Sequence, residues 1–251
     1  MSESELCVFN DAAEMAEAGA ELFVRLAAEA QAAGRTFSVA LSGGSTPRTL
    51  FSLLASEAWR SRVNWANIAI FWSDERAVPP DDLQSNYRMA KEALLDHVAV
   101  PPERVHRMPA ERTPLVTVAD AYAAEIRHTL GVGRARTPRL ELVMLGMGPD
   151  GHTASLFPET TALEDRHRLV AANHVPKLGA DRLTFTPKLI NAAAHVLFLI
   201  AGEDKAAALR EVLEGDRRPS LYPAQLVGPE NGTLHWYADK AAAARLAVRP
   251  S

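Results

Sequence analysis

Residues 140–158 read Leu140-Glu-Leu-Val-Met-Leu145-Gly-Met-Gly-Pro-Asp150-Gly-His152-Thr-Ala-Ser155-Leu-Phe-Pro158. A largely apolar run, Leu140 to Leu145, stops at three closely spaced glycines, and the bend delivers Asp150 and His152. A buried strand that ends in a glycine-rich loop carrying a carboxylate and an imidazole is a common way to build an active site. In open α/β sheets, ligands bind outside the carboxyl ends of the strands. Histidine is also the side chain best poised to move protons near neutral pH.

Three more apolar runs have strand length: Phe37–Leu41, Ile68–Trp72 and His195–Ala201. Helical patterns separate them. Residues 12–33 are alanine-rich, with Met15, Leu22, Phe23 and Leu26 at helical spacing and Gly34 as the stop. Further helices are expected over 47–58, 86–97, 117–130 and 204–214, and Leu234–Ala238 followed by 239–248 repeats the unit. This alternation predicts a doubly wound α/β fold, with a mainly parallel sheet and helices on both faces. No repeat or low-complexity linker breaks the chain, so one domain over 1–251 is expected. The stretch 131–139, with three arginines and no aromatics, reads as a solvated connection or a minor phosphate patch.

At 251 residues, 47% hydrophobic and 23% charged, the chain has the composition of an ordinary globular protein with a proper core. A formal charge of −4 argues against a general nucleic-acid binder. Cys7 stands alone, so neither a disulfide framework nor a cysteine-rich zinc site is expected. The acidic start, Met-Ser-Glu-Ser-Glu, lacks a secretory pattern, and no apolar run approaches a membrane span. The expectation is a cytoplasmic protein without membrane or nucleic-acid partners. Nothing in the sequence speaks to oligomeric state.

The other strand ends carry their own chemistry. Ser42-Gly43-Gly44-Ser45-Thr46-Pro47 follows the first run. Thr46 suits an N-cap and Pro47 the first helical position. The exposed amides and hydroxyls of such a turn suit a phosphate, or the turn is simply capped. It is no P-loop, since Gly-Lys-Ser/Thr is missing. Ser73-Asp74-Glu75-Arg76 follows the next run and reads alone as a solvated, salt-bridged turn. Gln84-Ser85-Asn86-Tyr87 then starts a helix with cap-like polar residues. Lys205, in Gly202-Glu-Asp-Lys-Ala206, falls in a first helical turn, where the macrodipole disfavours a cation. It is either solvated or waiting for an anion.

Several familiar signatures fail. Gly146-x-Gly148-x-x-Gly151 matches a dinucleotide fingerprint literally, but Pro158 cuts short the helix it requires, and Asp165 precedes the next apolar run instead of ending it. No HExxH pair and no G-x-S-x-G elbow occurs. His195 reads as structural, and the sequence names no partner for His97, His106, His128, His167, His174 or His235. His152 is left as the catalytic candidate.

Taken together, the stretches 40–47, 72–76 with 85–87, 146–158, 175–177, 182–186, 202–206 and 222–224 resemble the glucosamine-6-phosphate isomerase/6-phosphogluconolactonase superfamily, specifically its lactonase branch. They occur in that family's order and cover nearly the whole chain. The resemblance implies hydrolysis of 6-phospho-D-glucono-1,5-lactone to 6-phosphogluconate, the second step of the oxidative pentose phosphate pathway, without metal or organic cofactor. By motif, Gly43, Gly44, Ser45 and Thr46 would hold the phosphate. Arg76, Lys205 and Arg182 would add positive charge. His152 would be the general base, supported by Asp150 and Asp74 near the sugar ring, with Asp150 orienting the imidazole or holding a hydroxyl.

Two other functions stay in view. An isomerase/deaminase of the same superfamily would carry a glutamate five residues after the histidine as its partner, where this chain has Phe157. A sugar-phosphate-sensing regulator would add a helix-turn-helix segment, for which the resemblance leaves little chain.

Overall fold

The computed structural model describes residues 3–247. In chain order the elements are β1 (Glu3–Phe9), α1 (Ala12–Ala32), β2 (Phe37–Leu41), α2 (Ser45–Ala55), α3 (Glu57–Arg60), β3 (Ile68–Trp72), β4 (Asp74–Arg76), α4 (Asn86–Ala93), α5 (Leu115–Thr129), β5 (Leu142–Leu145), β6 (Val170–Val175), β7 (Ala180–Phe185), α6 (Pro187–Ile190), β8 (His195–Ile200), α7 (Ala206–Leu213) and β9 (Thr233–Asp239). Six strands form one sheet in the order β1-β9-β8-β5-β2-β3, and every pairing in it is parallel. Helices flank this sheet, giving the expected α/β architecture.

The apolar runs become strands because both sheet faces are covered. Every residue of β2, β3 and β5 is buried, which explains their unbroken hydrophobicity. Asp11 caps α1 by accepting from the amides of Ala13 and Glu14, and the helix packs against α2 and the strands beneath. Met15, Phe23, Phe37, Ile70 and Phe198 lie in one continuous core. Phe23 meets Phe37 edge-on with ring centroids 5.1 Å apart, and Phe198 stacks on Trp236 at 4.0 Å.

Other expectations need correction. β1 forms an edge strand on β9 that was not expected, its acidic start masking the short apolar run Leu6–Phe9. A second, antiparallel sheet, β4-β7-β6, was not expected at all. β4 begins one residue after β3, so the chain steps from one sheet to the other through Ser73. The Ser73 amide donates to Leu41 O at 2.8 Å and its carbonyl accepts from Phe185 N at 2.7 Å.

Thr46 is not the N-cap of α2. Gly44 takes that position at φ 108, the helix opens on Ser45, and no side chain caps it. The 86–97 helix divides into α4 and a 3-10 turn, Leu95–His97. The proposed helix over 239–248 is replaced by turns up to residue 247, and position 248 lies outside the described residues, as do Met1 and Ser2 of the acidic start.

The strand order also sets where a ligand can sit. β2 is followed by β3 on one side, while β5 is followed in the sheet by β8 on the other. The loops leaving the carboxyl ends of β2 and β5 therefore diverge and leave a crevice between them, the topological switch point of an open sheet. Phe198→Ala removes a fully buried ring of β8 that stacks on Trp236. It should lower the unfolding free energy by about 3–5 kcal/mol in urea titration.

Candidate active site

The crevice is a cleft of ≈ 460 Å³. Gly43, Gly44, Ser45, Thr46, Asp74, Arg76, Asp150, His152, Arg182 and Lys205 all line it, although they come from five separate segments of chain. The 131–139 loop takes no part; Arg139 instead donates to Asn231 O at 2.6 Å.

On the β2 side, the uncapped start of α2 opens its first amides to the cleft. The turn is as tight as it can be. A Cβ on Gly43 would lie 1.8 Å from Asn86 Oδ1, so only glycine fits there. Ser42 Oγ and Asn86 Oδ1 are buried without a protein partner. Both residues line the cleft.

β4 sorts its side chains by strand alternation, with Asp74 and Arg76 lining the cleft and Glu75 pointing away. The solvated-turn reading of Ser73-Asp-Glu-Arg is thus wrong for the acids, which are both buried. Asp74 Oδ2 accepts from Ser155 Oγ at 2.6 Å, and its Oδ1 accepts from Asn86 Nδ2 at 3.3 Å. Glu75 accepts from the amides of Arg76, Asn86 and Tyr87, each at 2.8 Å, and from Ser85 Oγ at 3.1 Å. Burial pushes its carboxyl up, and the three amides pull it partly back. Glu75 is the bracket that fixes the start of α4 and hence Asn86.

Arg76 and Arg182 face each other in register across β4 and β7. Arg76 Nη1 donates to Gln84 O, but the Nε of both arginines is buried and has no partner among the described residues. Burial and then the neighbouring Arg76 charge push the Arg182 guanidinium down, while Asp74 and Glu75 oppose them. Two guanidinium groups side by side call for an anion. Lys205 proves to sit in a 3-10 turn, Glu203–Lys205, just before α7, and Asp204 Oδ2 accepts from its ammonium at 2.6 Å. Lys205 is also the N-cap of α7, so it stands at a helix N-terminus as the sequence suggests, with Asp204 as its partner at the cleft edge.

On the β5 side, His152 Nδ1 lies 2.5 Å from Asp150 Oδ1. A ring nitrogen facing a carboxylate carries the proton, which leaves Nε2 as the basic nitrogen. The other Asp150 oxygen accepts from Lys177 Nζ at 2.9 Å. The His152 bond, against partial burial and with help from Lys177, holds the Asp150 carboxyl well below the usual carboxylate range. Phe157 stacks on the imidazole with centroids 3.9 Å apart. Gly148 makes room for the ring, since a Cβ there would meet His152 Nδ1 at 2.1 Å.

Asn86, Lys177 and Phe157 are thus parts of the cleft to which the sequence assigned no role, and Ser155 supports it from behind through Asp74. Four other histidines also gain partners: His97 meets Glu92 O at 3.1 Å, His106 bonds Glu125 at 2.8 Å, His174 bonds Asp181 at 2.7 Å, and His235 bonds Glu5. His195 is tied to His235 at 3.1 Å within the sheet. Among the described residues, no group of three or more His, Cys, Asp or Glu side chains could hold a metal ion, and no helix is long and apolar enough to cross a membrane.

The family model for glucosamine-6-phosphate isomerases/6-phosphogluconolactonase matches residues 10–236. The chain belongs to this family. A 6-phosphogluconolactonase of Nostoc sp. is 41% identical over 213 residues, covering 84% of this chain and 85% of that protein. The 6-phosphogluconolactonase of Homo sapiens is 37% identical over 250 residues, covering 97% and 94%. The solved structure of 6-phosphogluconolactonase from Trypanosoma cruzi superposes with a TM-score of 0.86 at 30% identity, covering 99% of each chain.

Gly43→Ala tests the turn directly. The added methyl must displace Asn86 and the 43–46 backbone, so the folded variant should bind inorganic phosphate at least about tenfold more weakly in calorimetry.

Proposed function

We propose that this chain hydrolyses the ester of 6-phospho-D-glucono-1,5-lactone to 6-phosphogluconate, with His152 as general base. The observation that carries this reading is the shared cleft. An oriented imidazole stands on its β5 side, and an open helix N-terminus and two arginines stand on the sides formed by β2 and the small sheet. A phosphorylated sugar lactone has the matching pattern: a dianion at one end of the molecule and an electrophilic carbonyl at the other. The similarity to named lactonases over most of the chain supports the substrate class.

The chemistry follows from the tautomer. The lone pair on Nε2 takes a proton from water while the water oxygen bonds to C1. Asp150 stabilises the imidazolium that forms. The tetrahedral intermediate collapses by breaking the bond between C1 and the ring oxygen. The imidazolium returns its proton to that oxygen, which leaves as the C5 hydroxyl. The phosphate takes no part in bond making; it is the handle that places C1 over Nε2. Asp74, held by Ser155 and Asn86, is placed to accept from a sugar hydroxyl.

Phe157 separates this reading from an isomerase. Opening a pyranose and moving a carbon-bound proton needs a further proton carrier beside the histidine. Here an aromatic face covers that side of the ring. Lactone hydrolysis needs only one base, and Nε2 supplies it.

Purified protein given freshly generated lactone should consume it well above the spontaneous rate and release no ammonia from glucosamine 6-phosphate. Ammonia release without lactone hydrolysis would overturn the assignment. His152→Ala should lower kcat by roughly a hundredfold or more with the fold intact by circular dichroism. Arg182→Gln and Lys205→Met should chiefly raise KM, by roughly tenfold or more, and leave kcat close to wild type.

A further inference from the structure

We propose that Tyr222, together with the Ala224 amide, is a positioning residue for the His152 loop. This inference rests on the hydrolytic reading above. Gly151 separates Asp150 from His152 and sits at φ 74. A Cβ at that position would lie 2.8 Å from Tyr222 Cδ1 and 3.2 Å from Tyr222 Cα, so the two segments touch backbone to ring. The Gly151 carbonyl accepts from Ala224 N at 2.9 Å. The loop's remaining backbone bonds are its own: Gly148 N to His152 O at 2.9 Å and Gly151 N to Gly148 O at 3.0 Å. Such a loop needs an outside brace to hold a base within the few tenths of an ångström that catalysis demands.

The segment that carries Tyr222 is itself anchored. Tyr222 N donates to Arg218 O at 2.9 Å, and the Arg218 guanidinium lies over the ring, 5.6 Å from its centroid. Gln225 ties the segment together: its Oε1 accepts from Arg218 N at 2.6 Å and its Nε2 donates to Glu211 O at 2.9 Å. Arg218 Nη2 also meets Glu211 Oε2 at 2.9 Å. Glu211 belongs to α7, the helix that follows Lys205. One braced unit therefore supports the back of the catalytic loop and lies outside the cleft, since neither Tyr222 nor Ala224 lines it. Among the described residues the Tyr222 hydroxyl has no hydrogen-bond partner, so the ring does the bracing.

The test uses the full chain with Tyr222→Ala, Tyr222→Leu and Tyr222→Phe. Each is followed by lactone kinetics and by amide hydrogen exchange across residues 148–152. Tyr222→Ala should lower kcat about tenfold or more with KM within about twofold, and the loop amides should exchange faster. Tyr222→Leu keeps enough bulk to fold where alanine does not, and should show the same split at smaller size. Tyr222→Phe should match wild type in both measurements. Loop exchange at the wild-type rate in the Ala and Leu variants overturns the proposal. So does an unchanged kcat, a KM that rises as much as kcat falls, or a Phe variant as damaged as the alanine one. If the wild-type chain leaves the lactone untouched while loop exchange still responds to Tyr222, the hydrolytic reading fails and the brace stands.

Discussion

The site depends on one constraint, the parallel pairing of β2 with β5. Parallel neighbours bring their carboxyl ends to the same edge of a sheet. The strands that follow them in the chain, or lie beyond them in the sheet, go to opposite sides. The two departing loops must therefore part, and the gap between them cannot be filled by either crossover. One loop becomes the Gly43–Thr46 turn at a helix start and the other becomes the Asp150–His152 bend. The glycine turn and the His152 imidazole end up facing one space because of strand order.

Electrostatics then divides the cleft. Arg76 and Arg182 lie in register and would repel, yet the fold keeps both, half-buried and with Nε groups unpaired among the described residues. At Arg182 desolvation and the Arg76 charge outweigh the help from Asp74 and Glu75. At the other end the balance is reversed. Asp150 is partly buried, but the His152 and Lys177 contacts win and keep it ionised. Positive charge is thus concentrated at the arginine end of the cleft, while Asp150 is already balanced by His152 and Lys177 at the other.

The main strands could be read from the sequence because burial on both faces forces near-continuous apolar runs such as Phe37–Leu41 and Ile68–Trp72. β6 and β7 could not. Ala171-Ala-Asn-His174 and Ala180-Asp-Arg182 mix polar and small residues, because only part of each strand is covered. Thr46 looked like a cap by composition, but a glycine at positive φ closes the turn earlier and takes that role. The glycine turns and His152 announced themselves through local pattern. Ser155 did not, because its meaning comes from Asp74, 81 residues away. Lys177 was visible as part of a motif, yet only the hairpin between β6 and β7 brings its ammonium to Asp150. Partnerships made by folding leave no periodicity to detect.

Ser73 is a seam. Its amide belongs to the large parallel sheet and its carbonyl to the small antiparallel one, with Leu41 and Phe185 stitched to either side. Asp74, Arg76 and Arg182 ride on the small sheet, whereas the glycine turn and the imidazole are mounted on the large one. Under the proposed reaction, sugar and phosphate contacts would therefore come from both layers, and Ser73 joins the two along the chain. The two layers are nevertheless tied together across the cleft, since Lys177 from the β6–β7 hairpin bonds Asp150 and Ser155 bonds Asp74, so a shift of the small sheet reaches the His152 loop as well.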